Sequence, residues 1–218
     1  RFFADKWTAI LLALIVLGTN YLHLAAWDGT LLTHSVLFTL YALLIPNGST
    51  TFLTDTYYIS AALVPKTQLP GGSYGTFGFA GGTYRVTEDM VYGRPPIEEA
   101  ELAAYGESTA DAGDIKPHGI YDTFFREFAF SFNAANRATA YNSQDQSGSG
   151  PAGTADGTMY FHAFEVDTSF LQTGYAIHFD LYKTTVKASG DIDIAAFAPW
   201  SHDAMGWGGG QVVPIPEP

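Results

Sequence analysis

From Tyr175 to Leu181 the residues Tyr175, Ile177, Phe179 and Leu181 alternate with Ala176, His178 and Asp180. A two-residue period puts one set on each face of an extended chain, whereas a helix would scatter it around its axis. Phe128, Phe130 and Phe132 alternate with Ala129 and Ser131 in the same way. Val36 to Leu44 and Tyr57 to Val64 are apolar runs ended by Pro46-Asn47-Gly48 and Pro65, as expected of core strands. Gly71-Gly72 and Gly81-Gly82 bracket a hairpin over Gly75 to Ala80 and Thr83 to Thr87. Met159 to Val166 and Asp193 to Phe197 complete the strand signals. Large rings suit pleated, half-buried surfaces, and aromatics make up 15% of the chain. The expectation is an all-β fold, an antiparallel β-sandwich of jelly-roll or Ig-like type. Two segments break the pattern. Ile97 to Tyr105 has the acids of a helical first turn, and Ser143 to Gly157 reads as a flexible connection.

The N-terminus constrains location. Ala9 to Leu17 (AILLALIVL) is unbroken apolar sequence, and the stretch from Trp7 to Trp27 is long enough to cross ~30 Å of hydrocarbon as a helix. Trp7, Tyr21 and Trp27 would sit at the interfaces, with Arg1 and Lys6 holding the start inside. Thr19, Asn20 and His23 weaken the second half of this span. A signal peptide with the same run as its apolar region is the competing reading. Both place the remainder across a membrane. The expected organisation is therefore a hydrophobic transmembrane anchor or signal peptide over 1–27, a β-sandwich over 28–205 and a Gly/Pro-rich tail over 206–218. His23 in a membrane helix would also be placed to ligate a pigment or haem metal; an interfacial His is the plainer reading.

The formal net charge of −12, with 10 Lys and Arg scattered along the chain, argues against nucleic acid. Attachment to a membrane must then be hydrophobic. The absence of Cys removes disulfides, thiolate catalysis and Cys-based zinc sites.

Among polar clusters, Asp191 and Asp193 follow Gly190 and precede Ser201-His202-Asp203. Asp191, Asp193 and Asp203 are candidate calcium ligands, because acids two apart after a Gly can line a loop of oxygens. A hydrogen-bonded turn network is the alternative. His178 and Asp180 share one strand face, and with His202 and Asp203 they offer a two-His, carboxylate metal set. The competing reading is a buried His held by a carboxylate. Gly71-Gly-Ser-Tyr-Gly75 has the letters of a nucleophile elbow but lacks the strand before and helix after it. Ser201, His202 and Asp203 are consecutive, so their side chains diverge and cannot form a relay. Glu98, Glu99 and Glu101 read as a solvated face. No catalytic residue is assigned, and no cofactor besides the candidate calcium.

Two resemblances sharpen the expectation. The ending VPIPEP over Val213 to Pro218, after the Gly-rich Gly206 to Gly210, resembles the sorting signal of PEP-CTERM proteins, without the apolar helix and basic tail that follow it there. The body resembles the choice-of-anchor N proteins in Thr56 to Pro65 (TYYISAALVP), Asp89 to Pro96 (DMVYGRPP), His118-Gly-Ile-Tyr121, Tyr141-Asn142, Ala176 to Tyr182 (AIHFDLY) and Asp191 to Asp203 (DIDIAAFAPWSHD). The resemblance implies an exported, anchored bacterial protein without an assigned activity. The expected function is that of a non-catalytic envelope protein, structural or docking. Its β domain would lie in the periplasm or on the cell surface, and its partners would be membrane lipid and other membrane or envelope proteins. The alternative is an accessory subunit of a larger membrane complex, such as a photosynthetic reaction-centre and light-harvesting assembly.

Overall fold

The computed structural model describes residues 21–27, 37–46, 51–65, 74–93, 95, 123–139, 151, 153–186, 188–190, 192–198 and 202–205, the first and last of these segments as backbone only. The described residues form twelve strands: β1 (Tyr21–Trp27), β2 (Leu37–Ile45), β3 (Tyr57–Val64), β4 (Thr76–Phe79), β5 (Gly82–Arg85), β6 (Val91–Gly93), β7 (Thr123–Phe130), β8 (Arg137–Ala138), β9 (Met159–Asp167), β10 (Ala176–Val186), β11 (Ile192–Phe197) and β12 (His202–Met205). One sheet has the order β1-β2-β9-β4-β5, with β8 also on β9. The other has the order β11-β10-β3-β7-β6, with β12 also on β10. The named strand pairs are all antiparallel. The expected all-β, two-sheet architecture is therefore present.

The N-terminal reading needs correction. Tyr21–Trp27, expected to finish a membrane helix, is instead a strand paired with β2 from Tyr21↔Ile45 to Trp27↔Thr39. β2 is mostly apolar and buried over Ala42, Leu43 and Leu44, so an open edge there would leave backbone donors and acceptors without partners. Pairing with β1 supplies them, and this tertiary demand outweighs a reading based on hydropathy and length. His23 accordingly stands opposite Leu43 in a sheet rather than in a membrane helix. Residues 1–20, including the apolar run, lie outside the described residues, as does the expected helix over Ile97 to Tyr105. No described helix is long and apolar enough to cross a membrane.

The core lies between the sheets. Leu40 and Leu44 of β2, Phe77 and Phe79 of β4 and Phe164 and Val166 of β9 face Ile59 and Leu63 of β3 and Ile177, Phe179 and Leu181 of β10. Phe79 is the hub: its ring lies 4.9 Å from Phe164 on its own sheet, and 4.6 Å from Phe128 and 5.5 Å from Phe179 on the other. Each such ring pair adds about 0.5–1.5 kcal/mol beyond the area it buries. Arg126 of β7 fastens the sheets at one side. Its guanidinium lies 4.7 Å above the Tyr84 ring of β5, and Nη1 donates to the Asp89 carbonyl at 2.7 Å.

Turn chemistry fixes β4 from both ends. Ala80 and Gly81 both take positive φ, as a two-residue hairpin following the strand twist requires. At the other end the Thr76 N–H donates to the Phe170 carbonyl, and Gly75 lets the two backbones meet. A Cβ on Gly75, at φ +84, would sit 1.9 Å from the Phe170 oxygen, whereas one on Gly81, at φ +80, meets nothing within 4 Å. Gly75→Ala therefore loses about 3 kcal/mol through strain plus overlap, and Gly81→Ala about 1 kcal/mol through strain alone, as read by urea unfolding. Equal losses would contradict the close approach.

Candidate functional site

The residues singled out for chemistry gather around β10. Its alternation holds: Ile177, Phe179 and Leu181 enter the core, and His178, Asp180 and Tyr182 occupy the opposite face. That face is buried too, with His178 at 3% exposure and Asp180 and Tyr182 at 0%. His178 Nε2 and Asp180 Oδ1 are 3.3 Å apart, in an electrostatic contact without the alignment of a good hydrogen bond. The expected buried His beside a carboxylate is what the structure contains.

Sequence reasoning missed the neighbours of this pair. In register, Asp180 stands opposite Ser60 of β3, and Ser60 stands opposite Glu127 of β7. Cross-strand partners share a face, so Asp180, Ser60 and Glu127 form one row across three strands. The Tyr182 hydroxyl donates to Glu127 Oε1, and the Tyr182 ring stacks on Tyr58 at 5.6 Å. Just beyond, Thr123 Oγ1 donates to the Leu63 carbonyl at 2.6 Å. Lys183 Nζ lies 2.5 Å from Asp55 Oδ2, tying β10 to the turn that opens β3. The available signal was a polar residue inside an apolar strand, alone as at Ser60 in YYISAALV or beside Arg126 as at Glu127 in TFFREFAF.

The three candidate calcium ligands are not brought together. Asp193 on β11 stands opposite Thr185, and Asp203 on β12 stands opposite His178, seven positions away along β10. At about 3.3 Å per residue that is roughly 20 Å, far beyond a coordination shell of 2.3–2.6 Å bonds. Asp191 lies outside the described residues. β11 and β12 follow each other closely in sequence but occupy different stretches of the same β10 edge. The second metal candidate fares differently: the backbones of Asp203 and His202 pair with His178 and Phe179. Among the described residues no group of three or more His, Asp or Glu side chains is placed to hold a metal ion. Of the elbow-like segment, Tyr74 is buried in the core and Gly75 serves the β4 turn.

A second His sits in the core layer. His162 of β9 stacks on Phe164 at 4.5 Å, meets the edge of Phe130 at 5.1 Å, and its Nδ1 lies 3.3 Å from the Ser131 carbonyl. Burial pushes its pKa below the ordinary His value, and the Ser131 carbonyl opposes that shift more weakly.

The arrangement is thus a polar row under cover, with 0–3% exposure at Asp180, Ser60 and His178. At such burial these groups do not touch a solute in water. Comparisons with protein-family models, with curated proteins and with solved structures return no match.

Two outcomes follow. Ser60 Oγ is buried without a hydrogen-bond partner, so Ser60→Ala leaves stability unchanged or raises it by about 1 kcal/mol in denaturant unfolding. A loss above about 1 kcal/mol would show that the hydroxyl holds the row together. The depressed His162 pKa means that the unfolded chain takes up its proton first on acidification. The His162 contribution is therefore fully present above the unfolded value near 6.5 and is lost as pH falls through and below it. His162→Phe flattens this part of the stability–pH curve, measured by thermal melts between pH 5 and pH 8. An unchanged slope would contradict the assignment.

Proposed function

We propose that the chain is an exported bacterial protein whose non-catalytic β-sandwich is held at the outer face of a membrane as a structural or docking module of the cell envelope. The observation that carries this reading is the junction of Ala9 to Leu17 with the two-sheet body, only Gly18, Thr19 and Asn20 separating the apolar run from β1. With Tyr21 to Trp27 in β1, the run from Ala9 to Leu17 is shorter than the ~20 residues of a membrane-spanning helix, and it supports export across a bilayer or insertion at its surface. Net charge supports the same view: at −12 the body is repelled by anionic lipid, so hydrophobic insertion must supply the attachment.

The strand order supports the Ig-like alternative over the jelly roll. The succession β1-β2-β9-β4 beside β11-β10-β3 repeats the A-B-E-D and G-F-C order of Ig sheets, with β5 to β8 inserted between the fourth and fifth strands. Such bodies are common at cell surfaces as rigid spacers and docking modules. The PEP-CTERM-like ending and the choice-of-anchor N resemblance point the same way.

The test is alkaline carbonate extraction of the expressing cells, followed by N-terminal sequencing of the mature protein. The reading expects the chain in the membrane pellet with residues before Tyr21 retained. Recovery in the supernatant with a new terminus near Gly18 would replace the anchor by a cleaved signal peptide, and recovery in the cytosol would overturn export.

A further inference from the structure

β10 changes its edge partner along its length. β11 pairs with it as far as Tyr182↔Phe197, and β12 takes over at Phe179↔His202. Asp180 and Leu181 fall between the two pairings, so the ladder is interrupted beside the buried Asp180. The register also sorts the second metal candidate by face. Asp203 stands opposite His178 and shares a face with it and with Asp180, whereas His202 stands opposite Phe179 on the core side. The expected two-His set therefore reduces to one His and two Asp, contributed by two adjacent strands.

The spacing within this set is that of metal ligands. His178 Nε2 and Asp180 Oδ1, from alternate positions of one strand, stand 3.3 Å apart. Two donors bound to one tetrahedral zinc at bond lengths of about 2.0–2.1 Å stand about 3.3–3.4 Å apart. A second, independent observation lies on the neighbouring strand. Ser60 stands opposite Asp180 on the same face, is 0% exposed, and its Oγ has no hydrogen-bond partner among the described residues. A buried hydroxyl without a partner is costly, and a water on a bound ion supplies one.

We infer that His178, Asp180 and Asp203 bind a zinc ion, with a metal-bound water on Ser60 Oγ completing the tetrahedral shell. The donor chemistry selects the ion: an imidazole beside carboxylates suits zinc, whereas calcium takes a larger shell made of oxygens. The ion's charge also offsets the Asp180 carboxylate, which is 0% exposed. Three protein donors and a water resemble an open catalytic centre, but exposure of 0–3% at Asp180, Ser60 and His178 keeps substrates out. The ion is structural. It is taken up as the chain folds, and it ties β12 to β10 where the edge partner changes.

The test uses the full chain, unfolded in urea with a chelator and refolded with or without zinc chloride. Bound zinc is measured by elemental mass spectrometry after desalting, and affinity by competition with a chromophoric chelator. The expected result is about one zinc per wild-type chain, with a melting temperature above that of the metal-free protein. Asp203→Asn, which keeps the side-chain shape, retains no zinc. Ser60→Ala refolds without metal as well as the wild type does, yet binds zinc about tenfold more weakly, because it loses only the outer partner. Circular dichroism of the metal-free forms checks that each variant has folded. A refolded wild type that retains no zinc overturns the site. Retention at unchanged affinity by either folded variant overturns it as well, and places the ion elsewhere on the chain.

Discussion

The burial of Phe79 between the sheets is the contact on which the rest depends. β4 is only four residues long, and its register with β9 rests on Gly78↔Asp167 and Phe79↔Val166. So short a strand has little hydrogen bonding to hold it, and the ring that reaches Phe128 and Phe179 on the far sheet does most of the holding. Facing sheets stand about 10 Å apart, a gap that large rings fill from both sides. Once Phe79 is seated, the β4–β5 hairpin brings Tyr84 over Phe128 and under Arg126, and the sheet edges are clamped.

Beyond the aromatic layer lies a different kind of constraint. The far face of β10 and β3 is also largely buried, yet together with the half-buried Glu127 of β7 it contains Asp180 and Ser60 in a row. Buried carboxylates are costly unless neighbours compensate them, and His178 and Tyr182 approach the two ends of the row. An apolar strand tolerates several registers, whereas a strand carrying one polar group that must meet another tolerates few. The row lies in register across three central strands, with contacts at its ends between His178 and Asp180 and between Tyr182 and Glu127. Rings bring the layers together, and the Tyr182–Glu127 and Lys183–Asp55 contacts tie β10 to its neighbours.

Much of this was legible in the sequence because it is local. Tyr57–Val64 has the bounds that its flanking Pro65 announced, and the alternation from Tyr175 gave both faces of β10 correctly. The Gly81-Gly82 turn marked the β4–β5 hairpin one residue from its true position. What failed was non-local. Tyr21–Trp27 looked like the end of a helix because hydropathy does not reveal that β2 needs an edge partner. Strands β6, β8 and β12 are two to four residues long, too short to announce a period. Asp193 and Asp203 seemed neighbours because they are close in sequence, but a sheet edge can receive two successive strands at separate places. Ser60 stood out as a polar residue in an apolar strand, but the register that sets it between Asp180 and Glu127 is non-local.

The seating of Phe79 is tested most directly by aromatic NOE spectroscopy on protein with selectively labelled phenylalanines. The account predicts cross-peaks from the Phe79 ring to Phe128 and Phe179 of the opposite sheet as well as to Phe164 of its own. Cross-peaks to Phe164 alone would mean that the two sheets do not close on this ring, and the face-to-face arrangement would be wrong.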